Sequence, residues 1–330
     1  MSTGSIHTPS PSARGNPPGA SPKRRSAADA LFRGTSTAFA VLVLVILGAI
    51  LVVLLFQSSE AFLRFGPSFL WSRDWDPVRD LYGALPSAYG TVVSSLIAIL
   101  IAGPVGIGVA VFLTEMAPPW LSRPVGLGIE LLAAIPSIIY GMWGLFVLAP
   151  WLNRVLYAHL QEHFGFMPLF KGPSLGISML TGGLILAVMI LPFIASVTRD
   201  VFRLIPPMLK ESAYGLGSTT WEVIRNVVIP YGRSGIVGAI FLGLGRALGE
   251  TMAVTFVIGN SHVISASLLS PSNTISSTLA NEFAEATTPL HVSSLVALGL
   301  ILFLITTLIL SLAKFLLWRM EKALPGGSKR

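Results

Sequence analysis

Arg246 and Glu250 stand four residues apart in Gly243-Leu244-Gly245-Arg246-Ala247-Leu248-Gly249-Glu250-Thr251-Met252-Ala253, within a stretch otherwise free of charge. On a helix that spacing puts both on one face, where they can pair. Gly249 and Ala253 are expected on the same face, leaving room beside the guanidinium. An ionised side chain at mid-bilayer costs about 2.5–3.5 kcal/mol on insertion scales, so such residues mark paths and sites. Packing alone explains the pair poorly, because apolar replacement of a buried ion pair is often neutral or stabilising. A guanidinium matches phosphate or carboxylate oxygens two at a time and stays charged at any relevant pH. The chemistry expected is anion binding along a translocation path, with Arg246 as the cationic point. Glu250 would orient it and temper its attraction, so that the anion can leave. Glu130, near the start of another apolar stretch, is undecided between the interface and the interior.

A second pattern, His159-Leu160-Gln161-Glu162-His163, fits the H-x-x-E-H of some zinc peptidases. It would need a third ligand from a neighbouring helix, and no partner motif is present. A solvated helix in an external loop is the expectation. No G-x-x-x-x-G-K-[ST] occurs, and Gly326-Gly327-Ser328-Lys329 has no helix after it. This chain is therefore expected to bind no cofactor, and any ATP and Mg would sit on a separate subunit. With no cysteine, disulfides and thiolate sites are excluded.

These residues must be positioned by membrane helices. Of 330 residues 53% are apolar and 11% charged, with a mean hydropathy of +0.75, whereas a soluble domain carries about 25% charged residues. Scanning for about 20 mostly apolar residues gives six spans, at 37–57, 88–113, 125–150, 174–198, 235–259 and 291–313. The fold class is all-α, polytopic. Gly34 to Ser59 is 26 residues without charge, too long for a signal-peptide core. Residues 1–33, rich in Pro, Ser and Gly with Lys23-Arg24-Arg25, form a disordered tail. Placing both termini inside puts sixteen of the 22 Lys and Arg on cytoplasmic segments and five outside, with Arg246 in a span. Both ends are thus cytoplasmic. The net +7 follows this topology and implies contact with membrane lipid, not nucleic acid. Trp71, Trp75, Trp120, Trp143, Trp151 and Trp318 fall near span ends as interfacial anchors. The Ser/Thr-rich loop from Asn260 to Leu290 is a polar connector or a docking surface for an external protein.

The loop 199–234 is the most informative soluble part. Pro206 and Pro207 suit the start of a short helix through Glu211, Ser212 and Ala213, and Gly215 and Gly217 stop it. Thr219 and Glu222 have capping-box spacing and open a second helix, which Pro230 ends before the fifth span. Glu211-Ser212-Ala213, then Gly217, then Val227-x-Ile229-Pro230 resembles the cytoplasmic EAA signature of ATP-binding-cassette importer permeases. Glu211, Ala213, Gly217 and Pro230 keep full spacing; Ser212, Val227 and Ile229 are small or aliphatic exchanges. The resemblance implies coupling helices that sit in a cleft of an ATPase subunit, and a type I importer permease architecture.

Residues 243–254, and Ala134-Ile135-Pro136-Ser137-Ile138-Ile139-Tyr140-Gly141, are similar to the phosphate-specific importers of that family, a likeness covering about 35–320. It implies a multi-pass protein of the bacterial cytoplasmic membrane, not itself an enzyme, that carries inorganic phosphate by alternating access. Its partners would be a sister permease, two copies of a cytoplasmic ATPase and an external phosphate-binding protein, and Arg246 and Glu250 would match transport-critical positions. Permeation of another oxyanion, sulfate or molybdate, is the alternative; a zinc peptidase and an ATP-independent channel are more distant. The expected organisation is a tail 1–33, a first span with external loop 34–87, a permease domain 88–318 and a tail 319–330.

Overall fold

A computed structural model of the chain describes residues 27–172 and 175–322. Residues up to Val52 and those from Val53 onward form two compact units. In the first, α1 (Ala27–Gln57) is exposed from Asp29 to position 50, and its most apolar window has a mean hydropathy of 3.4. The helix starts at Ala27, inside the stretch expected to be a tail. Ala27, Ala28 and Ala30 are strong helix formers, and Asp29 suits the first turn. The remainder of that expected tail, residues 1–26, lies outside the described residues, as does most of 319–330.

The second unit begins with the end of α1 and α2 (Ser59–Phe65), and its first long helix is α3 (Leu85–Val111). A π turn, Phe112–Met116, prolongs α3. Next come the amphipathic α4 (Pro119–Ala133) and three helical pieces, α5 (Ser137–Trp143), α6 (Ala149–Leu152) and α7 (Ala158–Phe164). Two π turns, Gly144–Leu148 and Asn153–Tyr157, fuse these pieces into one span. Then follow α8 (Met179–Arg203), α9 (Pro207–Gly215), α10 (Thr220–Val223), α11 (Ile229–Leu248), α12 (Met252–Thr255), α13 (Ile275–Glu282) and α14 (Pro289–Lys322).

Among the described residues, six helices have the length and apolarity to cross a membrane: Asp29–Gln57, Leu85–Met116, Ser137–Phe164, Met179–Arg203, Thr220–Leu248 and Pro289–Arg319. Four agree with the expected 37–57, 88–113, 174–198 and 291–313 to within eight residues at either end, and two do not. The third span starts at Ser137 rather than at 125. Pro136 is extended, with ψ 137°, so the chain turns there and Pro119–Ala133 becomes a separate helix. His159 and His163 accordingly sit on the end of a span and not in a loop. The fifth span starts at Thr220 rather than at 235 and ends before 250.

The spans pack through small residues. Thr91, Ser94, Ala98, Ala102, Gly106 and Ala110 form a buried face of α3. A Cβ on Gly106 would lie 3.0 Å from Ile194 of α8, and one on Gly183 of α8 would lie 2.6 Å from Ile97 of α3. Close backbone approach of this kind drives helix association in lipid, where apolar burial alone gives no preference for protein over acyl chain. The central core combines α3, α5, α8, α11 and α12. A second core at the Leu85 end of α3 gathers α2, Phe69, Trp75, Tyr82, α13 and α14. A third, at the Ala110 end, holds Phe202, Ile205, Val223, Val228 and Ile236, and so fastens the loop after α8 to the spans.

Candidate functional site

The expected Arg246–Glu250 pair does not form. Helix α11 stops at Leu248 with Gly249 as its cap, Glu250 lies beyond it, and α12 opens only at Met252. Among the ion pairs of the described residues there is none between the two. Four-residue spacing brings side chains together only on an unbroken helix. Glu250 Oε1 instead accepts the Ala253 N–H at 3.2 Å, capping α12. Gly249 is exposed while Ala253 is fully buried in the central core, so they do not share a face.

Leu242, Arg246 and Gly249 are exposed along one side of α11, and a Cβ on Gly238, one turn earlier, would meet nothing within 4 Å. A membrane helix thus carries an exposed guanidinium that makes no ion pair among the described residues. Beyond the break the chain runs back through the core. Non-helical backbone at membrane depth persists only where its polar groups are satisfied, and here they are. Ser178 N–H donates to Val257 O at 3.0 Å, and Ser272 N–H donates to Ile258 O at 2.9 Å. Gly141 of α5 lets this segment approach, since a Cβ there would lie 2.8 Å from Phe256 and 3.0 Å from Ala253 Cα.

At the other end of α11 the loop after α8 forms two helices. Pro206 and Pro207 start α9 and Gly215 ends it. Gly217 follows at φ +88°, and its N–H and that of Ser218 donate back to Tyr214 O and Ala213 O at 2.9 and 3.1 Å. Thr219 and Glu222 close the capping box in both directions. Pro230 does not end the second helix. The π turn Ile224–Val228 precedes it and omits the hydrogen bond proline cannot make, so the helix continues from Thr220 to Leu248. Glu211, Ser212, Gly217 and Pro230 are exposed, and Ala213 packs on the third core. Leu204, Met208, Leu216 and Trp221 stand 65% or more exposed on the same loop. Such an apolar patch marks a surface that meets another protein.

Three ionic clusters escaped the sequence reading. Glu130 pairs with Arg199, Nη2 to Oε1 at 2.7 Å, and Asp200 takes the same nitrogen at 3.2 Å. Arg199 was expected in a loop but is buried in the last turns of α8; Gly126 makes room, a Cβ there falling 2.7 Å from the guanidinium. Lys210 of α9 donates to Glu115 at 2.6 Å. In the second core, Glu282 accepts from Trp75 Nε1 at 2.8 Å, His262 Nε2 at 3.0 Å and His291 Nε2 at 3.0 Å. Asn273 Nδ2 donates to His262 Nδ1 at 2.7 Å, which leaves Nε2–H to face the carboxylate. Trp75 is thus a buried donor and not an interfacial anchor. Six of the serines and threonines of the 260–290 loop turn inward too, Ser267, Ser272, Thr274, Ser276, Ser277 and Thr278, while Thr287 and Thr288 stay exposed. Each cluster is closed by a partner far along the chain, Glu130 by Arg199 69 positions on, Glu115 by Lys210 95 on and Glu282 by Trp75 207 back, and no spacing rule links such partners. His159 and His163 spend Nδ1 on carbonyls one turn back.

Membrane-length helices, the fifth of them continuous with an exposed helical hairpin at one end and broken beside a charge at the other, have the architecture of a transporter's membrane subunit. Residues 102–322 match the family described as binding-protein-dependent transport system inner membrane component, and the chain belongs to it, a multi-pass protein of the inner membrane. It is 58% identical over 303 residues to the phosphate transport system permease protein PstC of Mesorhizobium japonicum, covering 91% of this chain and 93% of that one. It is 56% identical over 296 residues to PstC of Pasteurella multocida, with coverage of 88% and 92%. In fold it resembles a chain of a bacterial alginate ABC transporter, with TM-score 0.56 at 15% identity over 88% of this chain and 96% of that one. The MetNI methionine ABC transporter in an inward-facing conformation gives 0.55 at 17% identity over 75% and 99%. The architecture is that of a type I ABC importer permease.

Proposed function

We propose that this chain is the permease subunit of an ATP-driven phosphate importer, in which phosphate passes against Arg246 at an interface with a second, sister permease. The observation that carries it is the exposed guanidinium, without an ion pair among the described residues, at the broken end of a membrane helix. Against lipid it would be costly; against a neighbouring subunit and a water-filled path it becomes a bidentate oxyanion site. Discontinuous helices line substrate sites in other transporters for the same reason. The relatives' phosphate-transport names support the choice of oxyanion.

The exposed apolar hairpin around α9 supports docking of a cytoplasmic ATPase, with Glu211, Ser212, Ala213, Gly217 and Pro230 transmitting its closure. The partners are then a PstA-type sister chain, a PstB-type ATPase dimer holding ATP and Mg, and a PstS-type external binding protein. This chain contributes no catalysis of its own. Arg246→Gln tests the site. The complex should assemble and hydrolyse ATP, while phosphate uptake into vesicles should fall to background. Undiminished uptake in that variant would refute the Arg246 path, and ATP-dependent uptake of labelled sulfate or molybdate by the wild-type complex, with none of labelled phosphate, would reassign the cargo.

A further inference from the structure

Glu115 sits on the π turn that ends the second span, with its side chain only 5% exposed, and Lys210 of α9 reaches it at 2.6 Å with 20% of its own side chain exposed. The two residues belong to differently packed parts of the molecule. The turn carrying Glu115 packs against α3, α4 and α8, whereas α9 packs mainly against α10 and the π turn within the fifth span, and reaches α3 and α8 through Ala213 in the apolar third core. A cavity of about 390 Å³ lies beside the pair, bordered by Thr114, Pro119, Arg203 and Lys210, so the two parts are not joined there by continuous packing. Apolar contacts such as those of the third core are non-directional and set no single register. A short charge-assisted bond to a buried carboxylate holds one register. Lys210 lies next to Glu211, on the helix whose apolar residues face outward.

We infer that Lys210–Glu115 is a latch that makes α9 and the cytoplasmic end of the second span move as one body, so that displacement of α9 reaches the spans. Both are positioning residues, and the inference rests on the importer function proposed above. Lys210 presents three donors on a flexible stem, so the bond can tilt with α9 without releasing it. Loss of the latch leaves α9 tied to α3 and α8 by the non-directional contacts of the third core, so that it follows a docked ATPase while carrying the spans along less faithfully. The expected defect is therefore a loss of coupling, with binding and assembly intact.

The test uses the whole complex in liposomes, with phosphate uptake and ATP hydrolysis measured together. Glu115→Gln is expected to lower phosphate carried per ATP by about tenfold, the scale on which a single contact modulates coupling between sites. The reversed pair, Glu115→Lys with Lys210→Glu, should restore most of it. The chain has no cysteine of its own, so a Glu115→Cys/Lys210→Cys pair provides an independent arm. Uncoupled as thiols, it should regain coupling when bridged by a short bifunctional maleimide. An unchanged ratio in Glu115→Gln, or a bridged pair that stays uncoupled in an assembled complex, would overturn the latch. Should Glu115→Gln fail to assemble, the cysteine pair decides. Absence of phosphate uptake by the wild-type complex would instead fault the importer function.

Discussion

Glu282 shows how much a single residue can organise here. Burial pushes its carboxyl pKa up, but hydrogen bonds from His262, Trp75 and His291 outweigh that and hold it below the ordinary 4.5. A carboxyl whose folded pKa is depressed adds stability that is complete above its unfolded value and fades as pH falls through the folded one. Glu282→Gln should therefore lower the melting temperature of the detergent-solubilised protein at neutral pH, by the equivalent of about 1–3 kcal/mol for lost hydrogen bonds to a charged acceptor. The gap between variant and wild type should close as the pH drops below 4.5. A gap that persists unchanged down to acid pH would show that ionisation of Glu282 contributes nothing. Arg246 is the converse case, a charge with no ion pair among the described residues, and Arg246→Gln should cost transport while sparing the fold.

Among the elements, α9 is set by its ends. Gly217 has open space around it, so a side chain would clash with nothing; the constraint is its φ of +88°. Non-glycine residues pay roughly 1–2 kcal/mol for the left-handed conformation, and Asn pays less. Gly217→Val should loosen the end of α9 and reduce copurification of the ATPase, while Gly217→Asn should retain most of it. Equal loss in both would mean that side-chain bulk in the docked complex, and not backbone conformation, sets the effect. These caps were legible in sequence because they depend on neighbours within four residues. The π turn before Pro230 was not, because it resolves a conflict between a proline and the packing of Val223 and Val228 in the third core, and that core is assembled from distant segments.

At the scale of the molecule, α11 presents Leu242, Arg246 and Gly249 to whatever lies outside this chain. Single cysteines at Leu242 and Gly249 should react with a membrane-permeant maleimide in the isolated subunit and be protected in the assembled complex. Protection should be absent at Leu100, an exposed site on the lipid-compatible side of α3. Equal labelling at all three in the complex would place the α11 face against lipid and remove the basis for a shared path. This face could be recognised only once the other sides of α11 were seen to be covered by α3, α8 and α14.

Sequence by itself determined the membrane character, six spans, the capped hairpin after the fourth and the charges at 246 and 250. All of these follow from local composition and periodicity, which a bilayer enforces one segment at a time. The tertiary structure decided where the third and fifth spans begin, that α11 breaks between Arg246 and Glu250, and that Glu130, Glu115 and Glu282 each find a cation or donor far along the chain. A break or an ion pair depends on what packs against it across the bundle, and that information resides in no single window of residues.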